Sequence, residues 1–172
     1  MNLKYMLPIA LFVPALALAQ GKPSDPQIAH IVVTANQIDI DAGKLAKSHS
    51  KNKEVQAFAQ QMITDHSAVN QQAGALAKKL GVKPEDNDTS KALKKGANDN
   101  VANLKKLKGA PFDEAYVEHE VVYHQHVLDA IDKVLIPSAQ NQELKDLIVK
   151  VRPAIATHLE HAKHLQAGLG KK

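Results

Sequence analysis

Cysteine is absent from this 172-residue chain, and so is tryptophan. Without thiols there can be no disulfide framework, no Cys-held zinc, no iron–sulfur cluster, no thiol nucleophile and no covalent haem attachment. Aromatic residues make up only 3% of the chain, so any core is aliphatic. Base-stacking platforms for nucleic acid need aromatic faces and have nothing to be built from. Arginine occurs once, at Arg152, and the formal net charge of +4 rests on lysine. Nucleic-acid readers lean on the arginine fork. This small lysine excess therefore reads as solvated surface, and no nucleic-acid partner is expected. Catalytic signatures are missing too. There is no Ser-His-Asp order, no Gly-rich phosphate loop and no HExxH, so no catalytic residue is assigned. What the chain does carry is nine histidines.

Residues 1–19 have the layout of a secretory signal peptide. Lys4 supplies the positive start, an apolar stretch runs from Met6 to Leu18, and Ala17-Leu18-Ala19 gives a small-x-small cleavage pattern. Cleavage after Ala19 is expected, which places the protein in the periplasm. The stretch is too short and too interrupted by Pro8 and Pro14 for a membrane span, and no transmembrane segment is expected elsewhere. Residues 20–25 read as a linker, 26–169 as the folded domain and 170–172 as a tail.

The mature chain reads as all-α, with four long helices. The first carries Ile28, Ile31, Val32, Ala35, Ile38, Ala42 and Leu45 at helical spacing, with Asp25 and Pro26 at its start. The second carries Val55, Phe58, Ala59, Met62, Val69, Ala73 and Leu76, with Gly81 as a left-handed stop. A polar, lysine-rich crossover from Lys83 to Gly109 holds one weak apolar pattern, which predicts a short helix. The third long helix carries Phe112, Tyr116, Val117, Val127 and Ile131 and is expected to end at Pro137. The fourth carries Leu144, Ile148, Val151, Ile155 and Leu159, with Pro153 inside it. No segment alternates with period two for long enough to be a strand.

At 100° per residue, polar groups on these apolar faces are few. They are Asp39 on the first helix, Asp65 and His66 on the second, Glu120 and His124 on the third, and His158 on the fourth. His30, His119, His126 and His164 point outward, and His161 lies at an edge. Each of the inward groups sits near its helix midpoint. With a rise of about 1.5 Å per residue they would share one layer about 6 Å deep. Imidazoles and carboxylates converging inside a bundle are what a metal site requires. A buried hydrogen-bond network that fixes helix register would look the same.

Met62-x-x-Asp65-His66, Phe112-Asp113-x-x-Tyr116, His124-Gln125 and Pro153 through His158-Leu159 occur in this order and spacing. Together they resemble the bacterial exported family called domain of unknown function 4142. The resemblance covers nearly all the mature chain. It implies a ferritin-like four-helix bundle with a long crossover containing a short helix, and it highlights Asp65, His66, Tyr116, His124 and His158. The acidic position of the family's first helix, usually Glu, corresponds to Asp39. An aromatic usually near that helix's start is replaced by His30. The family carries no established activity.

Di-iron sites of ferritin-like proteins use Glu on two helices and Glu-x-x-His on the others. This chain has adjacent Asp65 and His66, and His158-x-x-His161 without the matching Glu. A site of His66, His124 and His158 with Asp39, Asp65 or Glu120 better suits Zn, Cu, Ni, or a mononuclear Fe or Mn, with Met62 as a soft addition. The expected function is transition-metal handling or envelope stress protection. The alternative is an envelope interaction or structural module whose polar cluster only fixes packing. A homo-oligomer is compatible with either.

Overall fold

The computed structural model describes residues 21–169. The expected signal peptide and the 170–172 tail lie outside the described residues. Five helices and no strand occur among them, so the protein is all-α. The helices are α1 (Asp25–His49), α2 (Lys53–Lys79), α3 (Asp88–Leu104), α4 (Ala110–Ala130) and α5 (Gln142–Leu169).

The helix ends follow local chemistry. Ser24 is the N-cap of α1, and its amide donates to Gln27 Oε1 at 3.1 Å. Asp25, expected to cap α1, instead accepts the backbone amides of Gln140 and Asn141, both at 2.9 Å. It thereby steadies the turn into α5, which Asn141 opens by accepting from Leu144 N. Asn52 caps α2 through its side-chain oxygen. Gly81, at φ +64°, closes α2 as expected: Val82 N donates to Ala77 O and Gly81 N to Lys78 O.

The expected crossover helix is present as α3, at 17 residues the shortest of the five and more than a single turn. Asn87 and Ser90 form a reciprocal capping box at its start. Contrary to expectation, Pro137 does not end the third long helix. The chain passes from α4 into a π-helical turn, Ile131–Leu135, and one further turn, Ile136–Ser138. Ile136 N bonds Ile131 O, five residues back. Proline lacks an N–H, and its ring would crowd the carbonyl four residues before it. The wider π turn accommodates that ring without breaking the helix. Arg152, the only arginine, forks onto Asp132 of this turn at 2.6 and 2.7 Å. α5 itself runs unbroken through Pro153.

Direction follows from contacts at the two ends. The start of α1, the segment after α2 and the α4–α5 junction meet, through Glu85 N on Pro26 O and through Asp25. At the opposite end His49 stacks on Phe112, with ring centroids 5.6 Å apart. α3 thus carries the chain back along the molecule, so α2 and α4 run the same way. α1 packs chiefly on α2, and α4 on α5; these two hairpins then meet through α2–α5 and α1–α4. α3 covers a flank of α1.

The core is divided. One apolar cluster gathers Ile28, Ile31, Leu128, Ile131, Leu144 and Ile148. The other holds Phe58, Met62, Phe112, Tyr116, Val117 and Leu165. Between them lies a buried polar layer.

Candidate metal centre

That layer consists of Asn36 and Asp39 from α1, His66 from α2, Glu120 and His124 from α4, and His158 from α5. Each lies within about two helical turns of apolar residues on the same face of its helix, so the hydrophobic stripes carry the polar groups inward with them. All six are buried. Placing such groups out of water costs several kcal/mol unless they are paired or ligate a shared partner.

The three imidazoles face one another. Ring centroids are 5.7 Å apart for His66 and His124, 5.2 Å for His66 and His158, and 5.5 Å for His124 and His158. One nitrogen of each ring is engaged by an acceptor. His66 Nδ1 donates to Asn36 Oδ1 at 2.7 Å. The amide of Asn36 is oriented by its own Nδ2 bond to Val32 O, which leaves only its oxygen for His66. His124 Nδ1 donates to Glu120 O at 2.9 Å. His158 Nε2 donates to Asp65 Oδ2 at 2.9 Å. The other nitrogens, His66 Nε2, His124 Nε2 and His158 Nδ1, are buried and have no hydrogen-bond partner. The acceptors fix the tautomers, so these three nitrogens carry the lone pairs. Donor atoms of the three rings lie within 4.8 Å of one another.

Electrostatics keep those lone pairs free. Burial, and then the neighbouring His124 and His158, lower the pKa of His66 to about 3. Burial lowers His124 to about 4, and it lowers His158 against the raising effect of Asp65. All three are neutral at pH 7.

The carboxylates lie beside this triangle. Asp39 Oδ2 is 3.5 Å from His66 Nε2. Glu120 Oε2 is 3.4 Å from His124 Nδ1, and the Glu120 carboxyl is paired with that of Asp39. Asp39, Glu120 and His124 form a second group of donors within 4.8 Å. Burial pushes the Glu120 carboxyl up to about 8. Asp39 is raised well above the carboxylate range by burial and by the charge of Glu120. The Tyr116 hydroxyl, buried without a partner, has its pKa raised by burial first and by these two acids next.

Five of the six sequence-predicted site residues therefore meet in the layer. Asp65 does not enter it. Its side chain is 42% exposed, and it holds the outer nitrogen of His158. Met62 lies in the aromatic-rich cluster next to the layer. Sequence reasoning missed Asn36, which sits about one turn before Asp39. It also placed His30 and His119 outside. His30 is covered by the crossover and lies 3.5 Å from Asp86. His119 stacks on Tyr123, and burial lowers its pKa to about 4. A reading of four helices alone could not see what the fifth element and Tyr123 cover.

Fold and site together define a helical protein with an enclosed imidazole–carboxylate layer across its core. Residues 13–165 match the family described as domain of unknown function (DUF4142), and the chain belongs to that family. No curated protein and no solved structure matches it. No helix among the described residues is long and apolar enough to cross a membrane.

Proposed function

We propose that this protein is an exported, periplasmic four-helix bundle of ferritin-like connectivity that binds one transition-metal ion at His66, His124 and His158. It serves metal handling or envelope stress protection. One observation carries the reading: three buried imidazole lone pairs converge without partners, while the opposite nitrogen of each ring is held by an acceptor. Metal-ligating histidines are oriented in that way, by a carboxylate, a backbone carbonyl or a similar group on the far nitrogen. The ligand atoms of the three rings lie within 4.8 Å of one another, and binding an ion would draw them to the roughly 2.0–2.1 Å of an imidazole–metal bond. Asp39, 3.5 Å from His66 Nε2, lies beside the triangle and would join as a fourth ligand only on giving up its proton. With no thiolate available, Zn, Cu, Ni, or mononuclear Fe or Mn suits the donor set. The signal-like opening segment supports export, and the single crossover between two helical hairpins supports ferritin-like connectivity.

The direct test is elemental analysis of protein purified from its native compartment, together with titration of the metal-free form. About one ion per chain is expected, and it is lost in His66→Ala, His124→Ala and His158→Ala. Failure of the wild type to bind any transition metal at micromolar levels sinks the proposal.

A second reading has its own support. The Asn36–His66 and Asp65–His158 hydrogen bonds already tie α1 to α2 and α2 to α5. The layer could then serve only to set helix register in an interaction module. In that case the histidine substitutions lower stability, and added metal does not change it.

A further inference from the structure

The layer is closed on most sides. The two apolar clusters plug it along the bundle axis. On the α1–α4 side the Tyr123 hydroxyl donates to Ala35 O at 3.1 Å, and His119 stacks on the Tyr123 ring. Along the α2–α5 seam the stretch toward the α4–α5 junction is lined by Val69, Ala73, Leu76, Leu147 and Ile148. Polar contacts also cross this seam nearer the α4–α5 junction, at Lys150–Gln72 and Lys79–Glu143, both on the exposed surface, but at mid-height they reach the layer itself. Two cross-helix hydrogen bonds sit there one above the other: His158 Nε2 to Asp65 at 2.9 Å, and His161 Nδ1 with Gln61 Oε1 at 3.0 Å. His158 is buried, Asp65 is 42% exposed and His161 is exposed. His161 also packs edge-on against Phe58, with centroids 5.1 Å apart, which holds its imidazole over the seam.

His158 differs from the other two inner histidines. The partners of His66 and His124 lie inside the protein, at Asn36 and the Glu120 carbonyl. The partner of His158 reaches solvent. The His158 ring therefore spans a polar connection between the layer and the surface.

We infer that Asp65 and His161 form an outer capture site for a divalent transition-metal cation and that His158 is the gate through which the ion passes inward. The carboxylate attracts the cation and the exposed imidazole ligates it. Release of the Asp65–His158 hydrogen bond lets the His158 ring turn and deliver the ion to the inner triangle. No covalent or redox step is involved. This inference rests on the metal-binding reading above.

Loading kinetics test it, with Co2+ as probe because its visible absorption reports ligation. Stopped-flow mixing gives the loading rate, and release into excess chelator gives the off-rate. Charged, lined clefts accelerate cation capture by about ten-fold or more. His161→Ala should therefore slow loading about ten-fold. Release should slow in the same proportion, leaving Kd unchanged, because a transit site alters the barrier and not the end states. Asp65→Asn should also slow loading, but it should speed release, since a neutral amide oxygen orients His158 more weakly than the carboxylate does. His164→Ala, an exposed histidine on the same helix, should load at the wild-type rate.

Wild-type loading in both His161→Ala and Asp65→Asn overturns the entrance while leaving the inner site standing. So does acceleration by Tyr123→Phe with no effect of the α2–α5 variants, which would place entry at the α1–α4 seam. If the wild type takes up no Co2+, Zn2+, Cu2+ or Ni2+, the metal reading falls and the entrance falls with it.

Discussion

In the polar layer, burial acts in opposite directions on the two kinds of titratable group. It lowers His66 to about 3 and His124 to about 4, and it pushes Glu120 up to about 8. For the histidines the unfolded chain binds more protons as pH falls below the ordinary 6.5. Their contribution is complete above that value and is lost on acidification towards the folded values. For Glu120 the folded chain keeps a proton that the unfolded chain releases above 4.5. Its contribution is complete below 4.5 and is lost as pH rises towards 8. Each group sets a slope of about 1.4 kcal/mol per pH unit inside its window. Metal-free protein should therefore be most stable near pH ~6.5 and weaken on either side. Glu120→Gln should remove a slope of about −1.4 kcal/mol per pH unit across the whole Glu120 window, flattening the alkaline decline and steepening the acid limb above pH 4.5. Urea unfolding of metal-free protein across pH 4 to 8 checks this. Parallel profiles for wild type and variant would rule out a protonated Glu120. The residues behind this behaviour were legible in the sequence, because a charged or imidazole side chain interrupting an apolar stripe is conspicuous. Asn36 was less so: its role depends on the orientation of one amide, which spacing does not encode. Asp65 was legible as a neighbour of His66, yet adjacent residues on a helix point about 100° apart, and only one of the two can enter the core.

Among the helices, α1 and α2 pack most extensively, and they approach closely at Gly43. A Cβ there would lie 2.9 Å from the Ala59 carbonyl oxygen and 3.1 Å from Ile63 Cγ1. The carbonyl belongs to a helix and cannot move aside cheaply. Gly74, inside α2, has nothing within 4 Å of its Cβ position. Alanine at a helix interior gains about 1 kcal/mol over glycine, and overpacking costs roughly 1–3 kcal/mol. Gly74→Ala should thus raise stability by about 0.5–1 kcal/mol, and Gly43→Ala should lower it by about 1 kcal/mol. Chemical denaturation of the two variants measures both, and equal shifts of the same sign would refute the close approach. Gly43 shows what helical periodicity leaves out: a small residue on the apolar face was visible, but not which helix approaches it. The crossover helix α3 was only faintly legible, for a different reason. Its apolar pattern is weak because it covers only a flank of α1, and it contributes Leu104 and Ser90 to the interior. The π turn escaped because proline was taken as a stop, whereas Arg152 on Asp132 and the Leu135 and Ile131 side chains hold the widened turn in place.

At the scale of the whole molecule, the polar layer is shared between two hairpins. Asn36, Asp39 and His66 come from α1–α2; Glu120, His124 and His158 come from α4–α5. The hairpins meet each other less extensively than their own helices do. This division could not be read from stripe directions, which give each helix a face but not a neighbour. It has a thermodynamic consequence. An ion bound by His66 on one side and by His124 and His158 on the other links the hairpins in the folded state alone, since unfolding disperses the three rings. At 100 times Kd such a ligand adds about 2.7 kcal/mol. For a chain of this size, 1 kcal/mol moves Tm by roughly 2–4 °C. The correct ion should therefore raise Tm by about 5–10 °C. Substituting a ligand from either hairpin should abolish the shift, because two imidazoles bind the ion much more weakly than three. His66→Ala and His124→Ala should thus respond alike, although they lie on different halves of the molecule. Thermal melts with and without Zn2+, Cu2+, Ni2+, Mn2+ or Fe2+ make the comparison. If His66→Ala keeps the full shift while His124→Ala loses it, the ion belongs to one hairpin and does not join the two. If wild-type Tm ignores every ion, the layer is a register device.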